Sequence, residues 1–196
     1  MSEARRRVAV VGNASVYAGP ELARALASRG HDLVVGDPEP DLVAELEAAG
    51  AAVEAVEGVA DLSDPDAAPA LVDAGIRRFG RIDAAVAFSG IIVTGRFLQS
   101  SLDDLRKVER TCLEAPYHFL KAAVAPMVEA GDGQVLLITS AAGARPTPGA
   151  PLYSAARAGG RFAGSSRQVG QAMPGVPHIR PRSREVSPPD DGARRG

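Results

Sequence analysis

Short apolar runs alternate along this chain with longer segments in which apolar residues recur at helical spacing. Five runs predict β-strands, at residues 7–12, 31–37, 51–62, 81–90 and 133–140. The run at 51–62 is the weakest of them. Consecutive apolar positions, as at 135–138, indicate strands that are covered on both faces.

The segments between these runs predict helices, at residues 20–30, 40–50, 64–80 and 101–131. Pro20 suits the first turn of the first helix, and Gly30 suits its end. The last helix is long, and we expect it to bend near Pro116. Strands that alternate with helices in this way predict an α/β fold of three layers, a doubly wound parallel sheet with helices on both faces.

The periodic pattern is lost after about residue 160. Gly159, Gly160 and Gly164 weaken any helix that begins near Tyr153, each by roughly 1 kcal/mol relative to alanine. From residue 174 onward, prolines, arginines and acids lack an apolar face. We therefore expect one globular domain over 1–170 and a disordered tail over 171–196. The alternative for the tail, an anion-binding arm, is disfavoured because acidic residues interrupt its arginines.

Composition narrows the classes of function. The 196 residues are 45% hydrophobic, enough for a buried core, and a net charge of −2 gives no field that would attract nucleic acid. Cys112 is the only cysteine, and no apolar run approaches the ~18 residues of a membrane span or resembles a signal peptide. We therefore expect a cytoplasmic protein without nucleic-acid or membrane partners. The three histidines lack neighbouring ligands, so no metal site is predicted.

A glycine-containing turn follows the first strand and precedes the first helix, where a nucleotide phosphate can meet free backbone N–H groups. Gly12 and Gly19 flank this turn, and Asn13 and Ser15 offer additional donors. The bulkier residues at 16–18 occupy positions where such a turn normally needs small ones. A purely structural turn is the alternative.

Asp37 ends the second strand, 18 residues beyond Gly19. A carboxylate at this position can accept hydrogen bonds from the adenosine ribose and would repel a 2′-phosphate, which favours NAD and makes NADP the less favoured cofactor. The alternative is that Asp37, which precedes Pro38, is a turn or helix-capping residue.

Ser140, Tyr153 and Arg157 follow the fifth strand in an order typical of carbonyl chemistry. A free tyrosine titrates near ~10, so it needs a neighbouring positive charge to exchange protons efficiently at neutral pH. Arg157 lies four residues beyond Tyr153, on the same face of a helix, and can supply that charge.

Over residues 7–165 the chain resembles the short-chain dehydrogenase/reductase family, which has a Rossmann-like fold. GQVLLITSAAG resembles the family's serine-bearing strand, and YSAARAG resembles its Tyr-x-x-x-Lys motif, with Arg157 in the lysine position. The resemblance implies that Ser140 holds the substrate oxygen, Tyr153 exchanges a proton with it, and Arg157 lowers the tyrosine pKa and bonds the nicotinamide ribose. Cys112 takes the position of the family's catalytic asparagine, for which a thiol is a poor replacement.

The same resemblance implies further contacts with NAD. Asp61 and Leu62, in ADLSD, resemble the pair that lines the adenine pocket, and VAFSG resembles a glycine-containing segment at the end of the fourth strand. Gly90 is the residue retained from that segment, and Ser89 is placed to touch the ribose. Phe88 is interpreted as a packing residue rather than one that stacks on the cofactor.

Together with these residues, the resemblance implies an oxidoreductase that transfers a hydride between NAD(H) and a small-molecule alcohol or carbonyl substrate. A non-catalytic Rossmann-type binding or scaffold protein is the alternative, and a truncated product without function is a third. Family members continue with further helices and strands where this chain has its tail, so either a natural short form or an altered reading frame is implied. We expect an exposed edge on the fifth strand. Family members commonly pair through the long helix, so a homo-oligomer is also considered.

Overall fold

The computed structural model describes the backbone of residues 6–163 and the side chains of residues 6–160. The strands of this part are β1 (Arg7–Val11), β2 (His31–Gly36), β3 (Val53–Val56), β4 (Ala84–Phe88) and β5 (Gln134–Ile138). Its α-helices are α1 (Gly19–Ser28), α2 (Pro40–Ala48), α3 (Ala67–Phe79), α4 (Leu102–Glu109), α5 (Ala115–Ala130) and α6 (Pro151–Ala163). The predicted tail lies outside the described residues, as do both ends of the predicted domain.

The strands form one parallel sheet in the order β3-β2-β1-β4-β5. Val10 of β1 pairs in register with Val34 of β2 on one side and with Ala85 of β4 on the other. The chain therefore winds outward in both directions from β1, which leaves a crevice beyond the carboxyl ends of β1 and β4. The predicted Rossmann-like, doubly wound sheet is confirmed.

Both faces of β1 and β2 are buried, which explains their continuous apolar runs. The run at 135–138 also predicted a strand covered on both faces, but Leu136 of β5 is half-exposed, so that expectation is wrong for β5. In β1, Val8 and Val10 belong to a core beneath α3 and α5, whereas Ala9 and Val11 belong to a second core beneath α1 and α2. Phe119 of α5 is fully buried in the first core. Burying a side chain of this kind stabilises the fold by about 1.5–3 kcal/mol, so the helices are held mainly by their apolar faces.

The expected bend near Pro116 takes a different form. α4 and α5 are joined by one π-helical turn, Arg110–Glu114, in which the Ala115 N–H donates to the Arg110 carbonyl five residues back. Pro116 has no N–H to donate to the Cys112 carbonyl, and the turn before it is widened to hold one extra residue. The irregularity therefore lies just before the proline.

α6 forms despite the glycines that were expected to weaken it. A Cβ at Gly160 would lie 2.7 Å from the Cys112 carbonyl oxygen, and one at Gly159 would lie 3.3 Å from a methyl of Leu113. The glycines therefore allow α6 to approach the π-helical turn closely. Packing against that turn offsets the low helix propensity of glycine.

β5 is an edge strand of the described sheet, and Leu136 at its centre is half-exposed. This agrees with the exposed edge expected from the sequence. β3 is much shorter than the run that predicted it. Between residues 6 and 163, no helix has the length and apolar character needed to cross a membrane.

Asp83 ties β4 to β1. Its carboxylate is buried and accepts hydrogen bonds from the Val8 N–H at 2.7 Å and from Arg81 Nε at 2.8 Å. Burial opposes ionisation, but these hydrogen bonds outweigh it, so the pKa of Asp83 is lowered. We expect Asp83→Asn to lower the free energy of unfolding by about 2 kcal/mol at pH 7.

The loss of stability caused by Asp83→Asn should depend on pH. Because the native carboxyl has a lower pKa than the ~3.9 of an unfolded aspartate, its stabilisation is complete above that value and disappears as pH falls through the native pKa. Urea unfolding at pH 7 and near pH 3 measures the difference between Asp83→Asn and the native protein. The exposed Asp73→Asn serves as the control, and an equal effect of both substitutions would contradict the prediction.

Candidate active site

A cavity of about 650 Å³ lies beyond the carboxyl ends of β1, β4 and β5. This volume is within the range of small-molecule and cofactor sites. Its walls include eight of the residues singled out from the sequence: Asn13, Asp61, Leu62, Ser89, Gly90, Ser140, Tyr153 and Arg157. The remaining predicted site residues, which do not form its wall, are Gly12, Ser15, Gly19, Asp37 and Cys112.

The glycines of the phosphate turn allow close packing of the chain on itself. A Cβ at Gly19 would lie 2.1 Å from the Asn13 carbonyl oxygen, and one at Gly12 would lie 3.1 Å from the Phe119 ring. Asn13 is the residue of this turn that can bind a polar ligand, because its Oδ1 is buried and has no hydrogen-bond partner among the described residues. Its Nδ2 donates to the Ala60 carbonyl at 3.4 Å. The turn therefore presents a free buried acceptor beside the cavity.

An aromatic pair stands beside this turn. Tyr17 has a left-handed backbone, with φ of 57°, and 86% of its surface is exposed. Its ring meets the Phe88 ring nearly edge-on, with centroids 5.9 Å apart, and both residues line the cavity. The interpretation of Phe88 as a packing residue did not include this partner. Each aromatic residue lies just beyond or at the carboxyl end of a strand, which is the signal that could have paired them.

Asp37 is held by the backbone of the loop after β3. Its two carboxylate oxygens accept the N–H groups of Gly58 and Val59, each at 2.7 Å. The residue before α2 is Glu39, so Asp37 does not cap that helix. Contact between Asp37 and a ribose stays a prediction, and the observed bonds join the end of β2 to the β3–α3 loop.

Asp61 and Leu62 form the part of the cavity wall beside the phosphate turn. Asp61 Oδ1 accepts the hydroxyl of Ser63 at 2.6 Å and its N–H at 3.0 Å, and these bonds lower the pKa of Asp61. Arg110 lies 3.6 Å from the other carboxylate oxygen. Leu62 is buried and contributes an apolar surface. This part of the cavity wall therefore combines the ionised carboxylate of Asp61 with the apolar side chain of Leu62.

Ser140 and Tyr153 face the other end of the cavity. Ser140 follows β5, and its Oγ accepts the Ala142 N–H at 3.2 Å, so the hydroxyl hydrogen is free to donate. Tyr153 lies in the first turn of α6 and is 7% exposed. Its hydroxyl has no hydrogen-bond partner in the described part of the chain. Two hydroxyl groups are thus available to one small ligand.

Arg157 lies one turn along α6 from Tyr153, and its guanidinium carbon is 5.0 Å from the centre of the tyrosine ring. It is 5% exposed. Nη1 donates to Ser89 Oγ at 2.8 Å, Nη2 donates to the Ser89 carbonyl, and Nε is buried without a partner. No carboxylate of residues 6–160 forms an ion pair with this arginine. The cavity therefore has an uncompensated positive charge in its wall.

Cys112 lies behind Gly90. A Cβ at Gly90 would lie 2.6 Å from Cys112 Sγ and 2.6 Å from the guanidinium carbon of Arg157. Burial raises the pKa of the Cys112 thiol, and the charge of Arg157 only partly opposes this. The neighbouring Thr111 does line the cavity, and its Oγ1 accepts the Ile91 N–H at 3.1 Å. The sequence interpretation missed Thr111, although its place beside Cys112 was the available signal.

Most of the chain is similar to one known family of proteins. The family model for short chain dehydrogenases matches residues 7–168. A 3-oxoacyl-(acyl-carrier-protein) reductase of Synechocystis is 32% identical over 164 residues, which cover 81% of this chain and 66% of that protein. An uncharacterized NAD-dependent oxidoreductase of Mycobacterium tuberculosis is 32% identical over 167 residues, which cover 77% of this chain and 61% of that protein.

Solved structures show the same architecture. The alcohol dehydrogenase from the archaeon Thermococcus sibiricus, complexed with 5-hydroxy-NADP, superimposes with a TM-score of 0.75 and 26% identity, over 87% of this chain and 73% of that chain. The chain spans 61–66% of the length of the two curated relatives. Because the family model covers most of the sequence and the fold is shared, this chain belongs to the short-chain dehydrogenase family.

Proposed function

We propose that this protein transfers a hydride between a nicotinamide dinucleotide and a small alcohol or carbonyl compound. The observation that carries the proposal is the convergence of Ser140, Tyr153 and Arg157 at one end of a cavity. Asn13 and Asp61 line the other end. The relatives named as reductases and dehydrogenases support the same class of reaction.

The residues present fit a dinucleotide. Asn13 Oδ1 and Arg157 Nε are buried polar atoms without partners among the described residues, and both residues line the cavity. A buried polar atom that stays unpaired destabilises the folded protein, and a ligand with hydroxyl and amide groups would form the missing hydrogen bonds. Asn13 would meet the cofactor near the phosphate turn, and Asp61 and Leu62 would border its adenine. When bound, the nicotinamide ring supplies or accepts the hydride.

In this proposed reaction, side chains of the protein bind the substrate oxygen and transfer its proton. The Ser140 hydroxyl donates a hydrogen bond to that oxygen, and the Tyr153 hydroxyl delivers or removes the proton. The Arg157 guanidinium, 5.0 Å from the tyrosine ring, stabilises the negative charge that develops during the transfer. Cys112 is too deeply buried to touch the substrate, and we give it a packing role.

We propose NAD as the preferred cofactor. Asp37 places a carboxylate at the end of β2, where it would repel the 2′-phosphate of NADP. The Mycobacterium relative is named as NAD-dependent, which supports this preference, whereas the Thermococcus structure contains a derivative of NADP. The single cysteine is compatible with a reducing, cytoplasmic location, which forms part of the same proposal.

Tyr17 favours one alternative function, the binding of a nucleotide without catalysis. Tyr17 and Phe88 place two rings beside the phosphate turn, where bulky groups limit access to the backbone. A non-catalytic protein that binds a nucleotide without turnover would tolerate this arrangement. Dinucleotide binding together with no oxidation or reduction across a panel of alcohols and carbonyls would favour it.

Calorimetric titration with NADH and NADPH tests the proposed function, and Gly19→Ala sharpens the test. A Cβ at Gly19 would lie 2.1 Å from the Asn13 carbonyl oxygen, so the phosphate turn must shift. We expect NADH to bind more tightly than NADPH and Gly19→Ala to weaken NADH binding by roughly tenfold or more, equivalent to the ~1.4 kcal/mol of one lost polar contact.

Gly50→Ala provides the matched control. Gly50 has positive φ and open space around its Cα, and it follows α2, away from the cavity. This substitution should lower stability slightly and leave the dissociation constant unchanged. Absence of NADH and NADPH binding by the native protein would refute the proposed function, and tighter binding of NADPH would refute the cofactor preference.

A further inference from the structure

We infer that Ser89 is a positioning residue that holds Arg157 in a socket shaped for a guanidinium, so that this active site requires arginine and a lysine would not replace it. The socket is formed by Ser89, Gly90 and Cys112. Its consequence for turnover rests on the proposed function. Its geometry does not, because the contacts that form the socket lie within the protein itself.

The hydrogen bonds define the first wall of the socket. Nη1 of Arg157 donates to Ser89 Oγ at 2.8 Å, and Nη2 donates to the carbonyl oxygen of the same residue. Two nitrogens of a planar group thus bind two acceptors of one residue, which fixes the plane as well as the position. A lysine ammonium is a single point donor, so it cannot reproduce this two-point contact.

Gly90 and Cys112 form the second wall. A Cβ at Gly90 would lie 2.6 Å from the guanidinium carbon, from Nη2 and from Cys112 Sγ. The guanidinium therefore rests against the bare Cα of Gly90, and the thiol of Cys112 borders the same space. A larger group at position 112 would compete with the guanidinium, so the cysteine and the arginine fit each other. A thiol at 112 is thereby explained by packing.

The socket leaves one nitrogen of the guanidinium, Nε, without a hydrogen-bond partner among the described residues. No carboxylate in this part of the chain neutralises the charge of the guanidinium. The guanidinium carbon lies 5.0 Å from the Tyr153 ring. By holding Nη1 and Nη2, Ser89 fixes the positive charge of the guanidinium beside the Tyr153 ring in the cavity wall. Ser89 therefore acts on the reaction through Arg157.

The single cysteine of the chain reports directly on the socket. Cys112 is 1% exposed and lies against the guanidinium, so a thiol reagent such as DTNB reacts with it only when the socket opens. We expect Ser89→Ala and Arg157→Lys each to accelerate labelling of the cofactor-free protein by roughly tenfold, the effect of losing a hydrogen bond to a charged group. Ser154→Ala, which removes an equally buried serine from α6, is the control and should not change the rate.

A double-variant cycle separates positioning from general stability. If Ser89 acts through Arg157, then Ser89→Ala combined with Arg157→Lys should match Arg157→Lys alone, both in labelling rate and in kcat. Each single variant should lower kcat roughly tenfold, and Ser89→Ala should change the dissociation constant of NADH by less than about threefold. Additive effects, a higher kcat in Arg157→Lys, or identical behaviour of Ser89→Ala and Ser154→Ala would overturn the inference.

The two readouts also separate this inference from the proposed function. If the native protein oxidises and reduces none of the tested compounds, the proposed function fails, and labelling of the cofactor-free variants then decides the socket by itself. Non-additive labelling rates would support it, and additive rates would overturn it.

Discussion

Tyr153→Phe should reduce kcat by about 10²–10⁴-fold and leave NADH binding nearly unchanged, because the substitution removes only the group that exchanges the proton. The Tyr153 ring is buried among apolar residues of α4, α6 and the π-helical turn, and phenylalanine keeps this packing. The hydroxyl has no hydrogen-bond partner between residues 6 and 160, so its loss should change the free energy of unfolding by less than about 0.5 kcal/mol. A catalytic loss without a structural loss is the expected signature.

Steady-state kinetics, calorimetry and urea unfolding measure the three quantities. Tyr117→Phe is the matched control, because Tyr117 is an exposed tyrosine on α5, away from the cavity. It should leave kcat, NADH binding and stability unchanged. A Tyr153→Phe variant that keeps more than about a tenth of the native kcat would exclude Tyr153 as the acid–base group.

Gly90→Ala should produce the largest loss of stability among the site variants, about 2–5 kcal/mol in the free energy of unfolding. Gly90 has φ of 86°, which costs an L-residue about 1–2 kcal/mol. The new methyl would also lie 2.6 Å from the guanidinium carbon of Arg157 and from Cys112 Sγ, and overpacking of this kind costs about 1–3 kcal/mol. Since the guanidinium must move to make room, kcat should fall as well.

Gly131→Ala separates the two contributions. Gly131 ends α5 with φ of 71° and has open space around its Cα, so alanine there costs only the backbone strain, about 1–2 kcal/mol. Urea unfolding should place Gly90→Ala well below Gly131→Ala in stability, and only Gly90→Ala should lower kcat. Equal stabilities would show that the space beside Gly90 is not filled by the guanidinium and the thiol.

The strands and the doubly wound sheet were predictable because their signals are local. An apolar run such as 8–11 is typical of a strand buried on both faces, and the helical periods that follow each run favour a covered parallel sheet. The cavity at the carboxyl ends of the strands follows from that topology. The place of Ser140 in the cavity wall follows from the same topology, since it comes directly after β5. The catalytic roles of Ser140 and Tyr153 stay predictions.

The contacts of the predicted residues were not predictable, because they join segments distant in sequence. The contact of Ser89 with a ribose stays a prediction, and the two hydrogen bonds that Ser89 accepts from Arg157, 68 positions away, were not foreseen. Asp37 was expected to face the cofactor, and its oxygens accept N–H groups of the β3–α3 loop. Tyr17 was expected only to obstruct the turn, and its ring meets Phe88.

The sequence by itself determined the sheet, the helical layers and the order in which hydroxyl, phenol and guanidinium groups reach one edge of the sheet, because apolar period and chain order act over short distances. Tertiary structure alone decided which acceptors the Arg157 guanidinium binds, why glycine is needed at position 90, and where the long helix departs from α-helical geometry. The physical reason is that a buried donor takes the nearest acceptor in space, and that neighbour is set by packing of distant segments.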